Sequence, residues 1–146
     1  FYQQMEKREA NYQGIDLDLS VKALFEKTLY AQDVVVKVQI PKNAANVKTH
    51  ANSGRAKHEV DKGAIVWRIK KLYGDKDIKL KCEVPLIPVK NPTAWMRNPI
   101  SMEFNIQMFT ASGLRVRYFQ VVEKANYKPY KWIRYITKAG DFQFRI

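Results

Sequence analysis

Apolar and polar residues alternate along most of the chain, and sustained 3.6-residue periodicity is hard to find. In Ile15-Asp16-Leu17-Asp18-Leu19-Ser20-Val21 every second residue is apolar. That spacing puts the aliphatic side chains on one face of a strand and both aspartates on the other. By the same alternation, strands are expected at 34–40, 64–72, 78–86, 100–109, 114–122, 130–137 and 142–146, all rich in Val, Ile, Tyr, Phe and Trp. Eight short strands in 146 residues predict an all-β sandwich or barrel. Turn chemistry separates them at Pro41-Lys42-Asn43, Asn52-Ser53-Gly54, Asp61-Lys62-Gly63, Tyr73-Gly74-Asp75, Ser112-Gly113 and Ala139-Gly140-Asp141. The proline-bearing stretch 85–99 is expected to carry the chain across the sandwich rather than around a tight hairpin.

Composition narrows the class. Hydrophobic residues make up 46% and charged residues 27%, enough apolar material for a core. Lys plus Arg number 26 against 14 Asp plus Glu, a net charge of +12 that favours a polyanionic partner: nucleic acid, an acidic protein or an anionic membrane. Cys82, the single cysteine, has no intrachain partner, which excludes a disulfide scaffold and fits a reducing compartment such as the cytosol. The longest apolar stretch, 84–89, is far short of the roughly 20 residues of a spanning helix. The start at Phe1 has neither signal-peptide nor transit-peptide character and reads as a cut end.

Candidate chemistry is sparse on the enzymatic side. His50 and His58 have no Cys or acidic cluster at metal-ligand spacing, and Asp16 and Asp18 share a strand face as any half-exposed strand would arrange them. The glycines are isolated turn residues without a phosphate-binding fingerprint. No enzyme, metal or cofactor is therefore expected. The basic residues say more. Between 42 and 81 there are eleven Lys or Arg against four Asp or Glu. In 64–70, Val66, Arg68 and Lys70 alternate with Ile65, Trp67 and Ile69, so a cationic face is expected to be exposed. Arg55 and Lys57 fall beside Arg68 if the segments pair as a hairpin through Asp61-Lys62-Gly63, making a compact anion site. An ordinary solvated face, charged against edge-to-edge association, is the alternative. In 130–136, Trp132 and Arg134 share one strand face and Lys131, Ile133 and Tyr135 the other. An aromatic beside a guanidinium is a stacking platform for another ring, whereas core packing of Trp132 is the plainer alternative.

These residues resemble a known family, the C-terminal mu-homology domain of the medium (mu) subunits of clathrin adaptor complexes. The matching segments are Ala64-Ile65-Val66-Trp67-Arg68-Ile69-Lys70, Trp95-Met96-Arg97-Asn98-Pro99-Ile100-Ser101-Met102-Glu103-Phe104, Thr110-Ala111-Ser112-Gly113-Leu114-Arg115-Val116-Arg117-Tyr118 and Lys131-Trp132-Ile133-Arg134-Tyr135-Ile136. The resemblance covers 15–146. It implies an elongated all-β domain of two sandwich subdomains, with 1–109 as the second subdomain and 110–146 as closing strands of the first. It also implies binding of Tyr-x-x-Φ sorting signals, Φ being bulky and apolar, in cytosolic tails of membrane proteins.

An extended peptide added to a sheet edge points residues i and i+3 to opposite faces, so two pockets are required. Carried over from the family, Trp132 and Arg134 would hold the Tyr ring, and Ile133, the Lys131 stem, Val116 and Phe119 would receive Φ. The family's tyrosine pocket also uses an acidic residue and a further base from strands near the start of the domain, and no segment here matches that region. Phe119, where relatives often have leucine, would narrow the Φ pocket. A family phosphoinositide surface maps onto Arg55, Lys57 and Arg68, with Lys70 beside them, whereas Glu59 stands where some relatives carry a base. The implied partners are the other subunits of a heterotetrameric adaptor, tyrosine-based signals and anionic phosphoinositide membrane, with no nucleic acid. The implied location is cytoplasmic, peripheral on coated pits or vesicles of the plasma membrane or the trans-Golgi and endosomes. The rival expectation is a basic aromatic β-sheet module that binds single-stranded nucleic acid.

Overall fold

The computed structural model describes residues 13–89, 96, 98–122, 124, 127 and 129–145. Its strands are β1 (Gly14–Lys22), β2 (Tyr30–Gln39), β3 (Lys48–Ala51), β4 (Arg55–Glu59), β5 (Ala64–Tyr73), β6 (Asp77–Pro85), β7 (Ile100–Gln107) and β8 (Ile136–Phe144), with a 3-10 turn over Val60–Lys62. They form a three-stranded sheet in the order β1-β6-β3 and a five-stranded sheet in the order β4-β5-β2-β7-β8. All pairings are antiparallel. The all-β class stands. The two sheets share one core.

Alternation explains that core directly. Ile15, Leu17, Leu19 and Val21 of β1 lie in register with Val84, Cys82, Leu80 and Ile78 of β6, and all eight are buried. Val34, Val36 and Val38 of β2 pair with Ile69, Trp67 and Ile65 of β5 in the same way. The two inward faces meet in a single cluster, as in any sandwich whose strands alternate apolar and polar. On the outer side of the small sheet, Asp18 pairs with Lys81 at 3.7 Å and Lys48 with Glu83 at 3.6 Å. Asp16 and Asp18 thus belong to a polar sheet face.

The expected turn at 52–54 joins β3 to β4, that at 61–63 joins β4 to β5, and that at 73–75 joins β5 to β6. Gly54 has φ +77, and a Cβ there would stand 2.4 Å from the Arg68 carbonyl oxygen, so this turn admits only glycine without distortion. The segment between β6 and β7 does pass from one sheet to the other. Its central residues, 90–95 with Trp95, and also Arg97, lie outside the described residues.

Three sequence expectations are corrected. Residues 114–122 and 130–135 form no strand, although their composition is that of one. β-propensity records the fit of a side chain against cross-strand neighbours, and these segments have no ladder among the described residues. Ala139-Gly140-Asp141 is not a turn but the middle of β8, where pairing with β7 overrides the weak strand preference of Gly and Asp. The short strands β3 and β4 also carry too few apolar residues to be read from alternation.

Candidate functional site

Two surfaces collect the residues singled out from the sequence. The first lies where the chain leaves β7 and returns to β8. The Tyr135 hydroxyl accepts a hydrogen bond from the Val116 N–H at 2.9 Å, and the Lys131 ammonium donates to the Phe119 carbonyl at 2.9 Å. These bonds lay 116–119 alongside 131–135, which brings together the Val116, Phe119, Lys131 and Ile133 segments expected to receive Φ. The Met108 N–H, donating to the Tyr135 carbonyl at 2.7 Å, ties the same stretch to the end of β7.

Arg134 is fixed from below. Its Nε and Nη2 both donate to Gln107 Oε1, at 3.0 and 2.7 Å, and Gln107 Nε2 donates to Gln32 Oε1 at 3.2 Å. The guanidinium is thereby held on β7 and β2 through two neutral amides, and among the described residues no carboxylate forms an ion pair with it. Trp132 is 68% exposed and takes no part in the core that the described residues form. Because 131–135 is not in a strand, Trp132 and Arg134 are not placed on a common face by strand alternation as expected. Sequence pattern missed Gln107, Gln32 and Tyr135. For Gln32 and Gln107, polar side chains on adjacent paired strands, the cross-strand pairing of β2 and β7 was the missing information.

The second surface is the outer face of β4 and β5. The hairpin forms in the expected register: Arg55 stands opposite Arg68, Lys57 opposite Val66 and Glu59 opposite Ala64. Arg55, Lys57, Arg68 and Lys70 are all exposed. Directly opposed like charges are unfavourable, and Glu59 relieves this pair from one side. One Glu59 carboxylate oxygen meets the Arg68 Nη1 at 2.6 Å and the other meets the Lys62 ammonium at 2.6 Å. These two hydrogen-bonding cations hold the Glu59 carboxyl down at about 2, from an ordinary 4.5. Val66, midway along β5 between Ala64 and Arg68, is fully buried although it faces outward. Its cross-strand neighbours are Lys37 of β2 and Lys57 of β4, and long basic side chains bury apolar stems on such a face while their charged ends stay in water. Lys62 was not anticipated. Its spacing of three residues from Glu59, across a turn, was the clue.

Elsewhere the chemistry is structural. Burial pushes the Cys82 thiol up to about 12, with Asp18 adding to the effect. Among the described residues no group of three or more His, Cys, Asp or Glu side chains is placed to hold a metal ion. Nor is any described helix long and apolar enough to cross a membrane.

Comparison with known proteins places the chain in a family. The AP-2 complex subunit mu of Dictyostelium discoideum is 44% identical over 141 residues, covering 95% of this chain and 32% of that protein. The AP-1 complex subunit mu-1 of Arabidopsis thaliana is 32% identical over 134 residues, covering 90% of this chain and 31% of that protein. The chain therefore spans about a third of the length of the curated relatives it matches. Residues 3–146 match the Adaptor complexes medium subunit family, a span that begins ahead of residue 15, where the sequence resemblance was placed. With that match over nearly its whole length, the chain belongs to the Adaptor complexes medium subunit family.

Proposed function

We propose that this chain is part of the cargo-recognition subunit of a clathrin-associated adaptor, a non-enzymatic module of vesicle transport that works beside other adaptor subunits on the cytosolic face of a membrane. In this role it binds Tyr-x-x-Φ signals by β-augmentation along 131–135 and rests on phosphoinositide membrane through Arg55, Lys57, Arg68 and Lys70. The division into a second subdomain, 1–109, and closing strands of a first, 110–146, belongs to the same proposal.

The observation that carries the reading is the pairing of 116–119 with 131–135 through Tyr135 and Lys131. This pairing leaves Trp132, Phe119 and Val116 exposed together with Ile133 at the protein surface. Exposed apolar side chains on two hydrogen-bonded segments, one of which also carries an amide-anchored guanidinium, suit one aromatic and one aliphatic anchor of a short peptide. The Tyr135 carbonyl is taken by the Met108 N–H, so a peptide ladder would use the backbone of 131–134.

Fluorescence anisotropy on the full-length protein tests this, with a labelled Tyr-x-x-Φ peptide, the same peptide with Ala for Tyr, and an oligonucleotide of equal charge at one salt concentration. The proposal expects saturable binding of the first alone. Equal binding of both peptides, or preference for the oligonucleotide, would overturn it.

A further inference from the structure

The outer face of β4 and β5 holds a second feature. Arg68 does not lie beside the cation opposite it. Its guanidinium reaches Glu59, whose register partner on β5 is Ala64, four residues back along the strand. At roughly 3.3 Å per residue this is about 13 Å of strand, with the buried Val66 midway along it. Arg55 and Lys57 are thus left with an exposed but incomplete pair of cations, while Arg68 and Lys62 are occupied by one carboxylate. That carboxylate has both oxygens engaged at 2.6 Å, as a phosphate oxygen pair would be. The Glu59 carboxyl is charged throughout the neutral range, as an ordinary glutamate's would be.

We propose that Glu59 is an internal counter-anion that latches Arg68 away from Arg55 and Lys57, so that a phosphoinositide headgroup must compete with Glu59 for Arg68 and Lys62. This inference rests on the lipid-contact reading above and adds a specificity-determining residue to it. Monovalent anionic lipid, which offers one weak acceptor set, cannot displace a carboxylate with two charge-assisted hydrogen bonds. A multiply phosphorylated inositol ring brings more charge and more acceptor oxygens to the same two cations. The face therefore discriminates by phosphate number rather than by anionic charge alone.

The test compares five variants with the parent by sedimentation with phosphatidylcholine vesicles containing phosphatidylinositol bisphosphate, phosphatidylserine or neither, and by titration with soluble inositol trisphosphate. Glu59→Gln should bind the bisphosphate vesicles about fivefold more tightly, while Asp61→Asn, an equal charge change at an exposed neighbour, should gain less than about twofold. Soluble inositol trisphosphate should follow the vesicle ranking if the headgroup alone is read. On an Arg68→Gln background the gain from Glu59→Gln should shrink toward that of Asp61→Asn, because the latched partner is gone. Equal gains from Glu59→Gln and Asp61→Asn would reduce the effect to bulk charge and overturn the latch. An unchanged Glu59→Gln alongside a loss in Arg55→Ser/Lys57→Ser would overturn the latch but leave lipid contact standing. An unchanged Arg55→Ser/Lys57→Ser would overturn the lipid reading itself.

Discussion

Trp67 links the core to the cationic hairpin, and its replacement separates two contributions. The side chain is fully buried between Val36 of β2 and Ala56 of β4, and its indole N–H donates to the Ser53 carbonyl at 2.7 Å. That bond anchors the 52–54 turn from which Arg55 emerges. Trp67→Ala removes the ring and leaves a cavity that the two sheets cannot close, which costs about 3 to 5 kcal/mol. This is a large share of the roughly 5 to 15 kcal/mol that holds a domain together. Trp67→Phe keeps most of the apolar burial but loses the donor. The lost hydrogen bond costs about 1 kcal/mol and the missing ring atoms about as much again, near 2 kcal/mol in all. Urea unfolding followed by circular dichroism measures both, with the m value held constant as the check that only stability has changed. The Phe variant should sit between parent and Ala variant. A Trp67→Phe midpoint matching the parent, or an Ala variant that loses less than about 1 kcal/mol, would refute the idea that this indole ties turn to core.

Other consequences follow from single groups. Arg134→Ala in the full-length protein should weaken Tyr-x-x-Φ binding by roughly 1 to 2 kcal/mol through loss of a stacking cation and a donor, read by calorimetric titration; an unchanged affinity would remove Arg134 from the site. Glu59 has a folded pKa of about 2 against an ordinary 4.5, so its contribution to stability is complete above pH 4.5 and is lost as pH falls toward 2. Glu59→Gln should therefore flatten the acid limb of the stability profile in that window and leave the neutral plateau shape alone. Cys82 is buried with its thiol raised to about 12, so a thiol reagent at pH 8 should label it only at the rate of global unfolding, and rapid labelling of the native chain would contradict its place in the core.

What the sequence made legible was the part of the fold in which both sheets bury a face. The positions of 15–21, 64–72 and 78–86 alternate because one side meets the shared core, and they recur almost unchanged as β1, β5 and β6. β2 was read only from residue 34, since Asp33, at φ 50, interrupts the pairing and shifts the inward phase from Ala31 to Val34. β4 was invisible to alternation but recoverable from turn chemistry, and so the Arg55–Arg68 register was foreseen. The direction of Arg68 toward Glu59 was not, because a long side chain can run along a strand independently of the face it leaves. At the peptide surface the residue types were legible and the backbone was not. Trp132 and Phe119 belong by composition to strands, but strand formation needs a hydrogen-bonding neighbour that residue types alone do not provide.

The central claim is that a tyrosine-based signal adds as a strand beside 131–135. Amide hydrogen exchange on the full-length protein, with and without a Tyr-x-x-Φ peptide, tests it most directly. Without peptide, amides of β1, β2, β5 and β6 should be strongly protected, and the alternate amides of 131–134 that face an open sheet edge should exchange more rapidly than these. With peptide, protection should appear at alternate amides of 131–134 and not when the peptide tyrosine is replaced by alanine. Unchanged exchange at 131–134 under saturating peptide, or protection confined to another strand, would contradict the account.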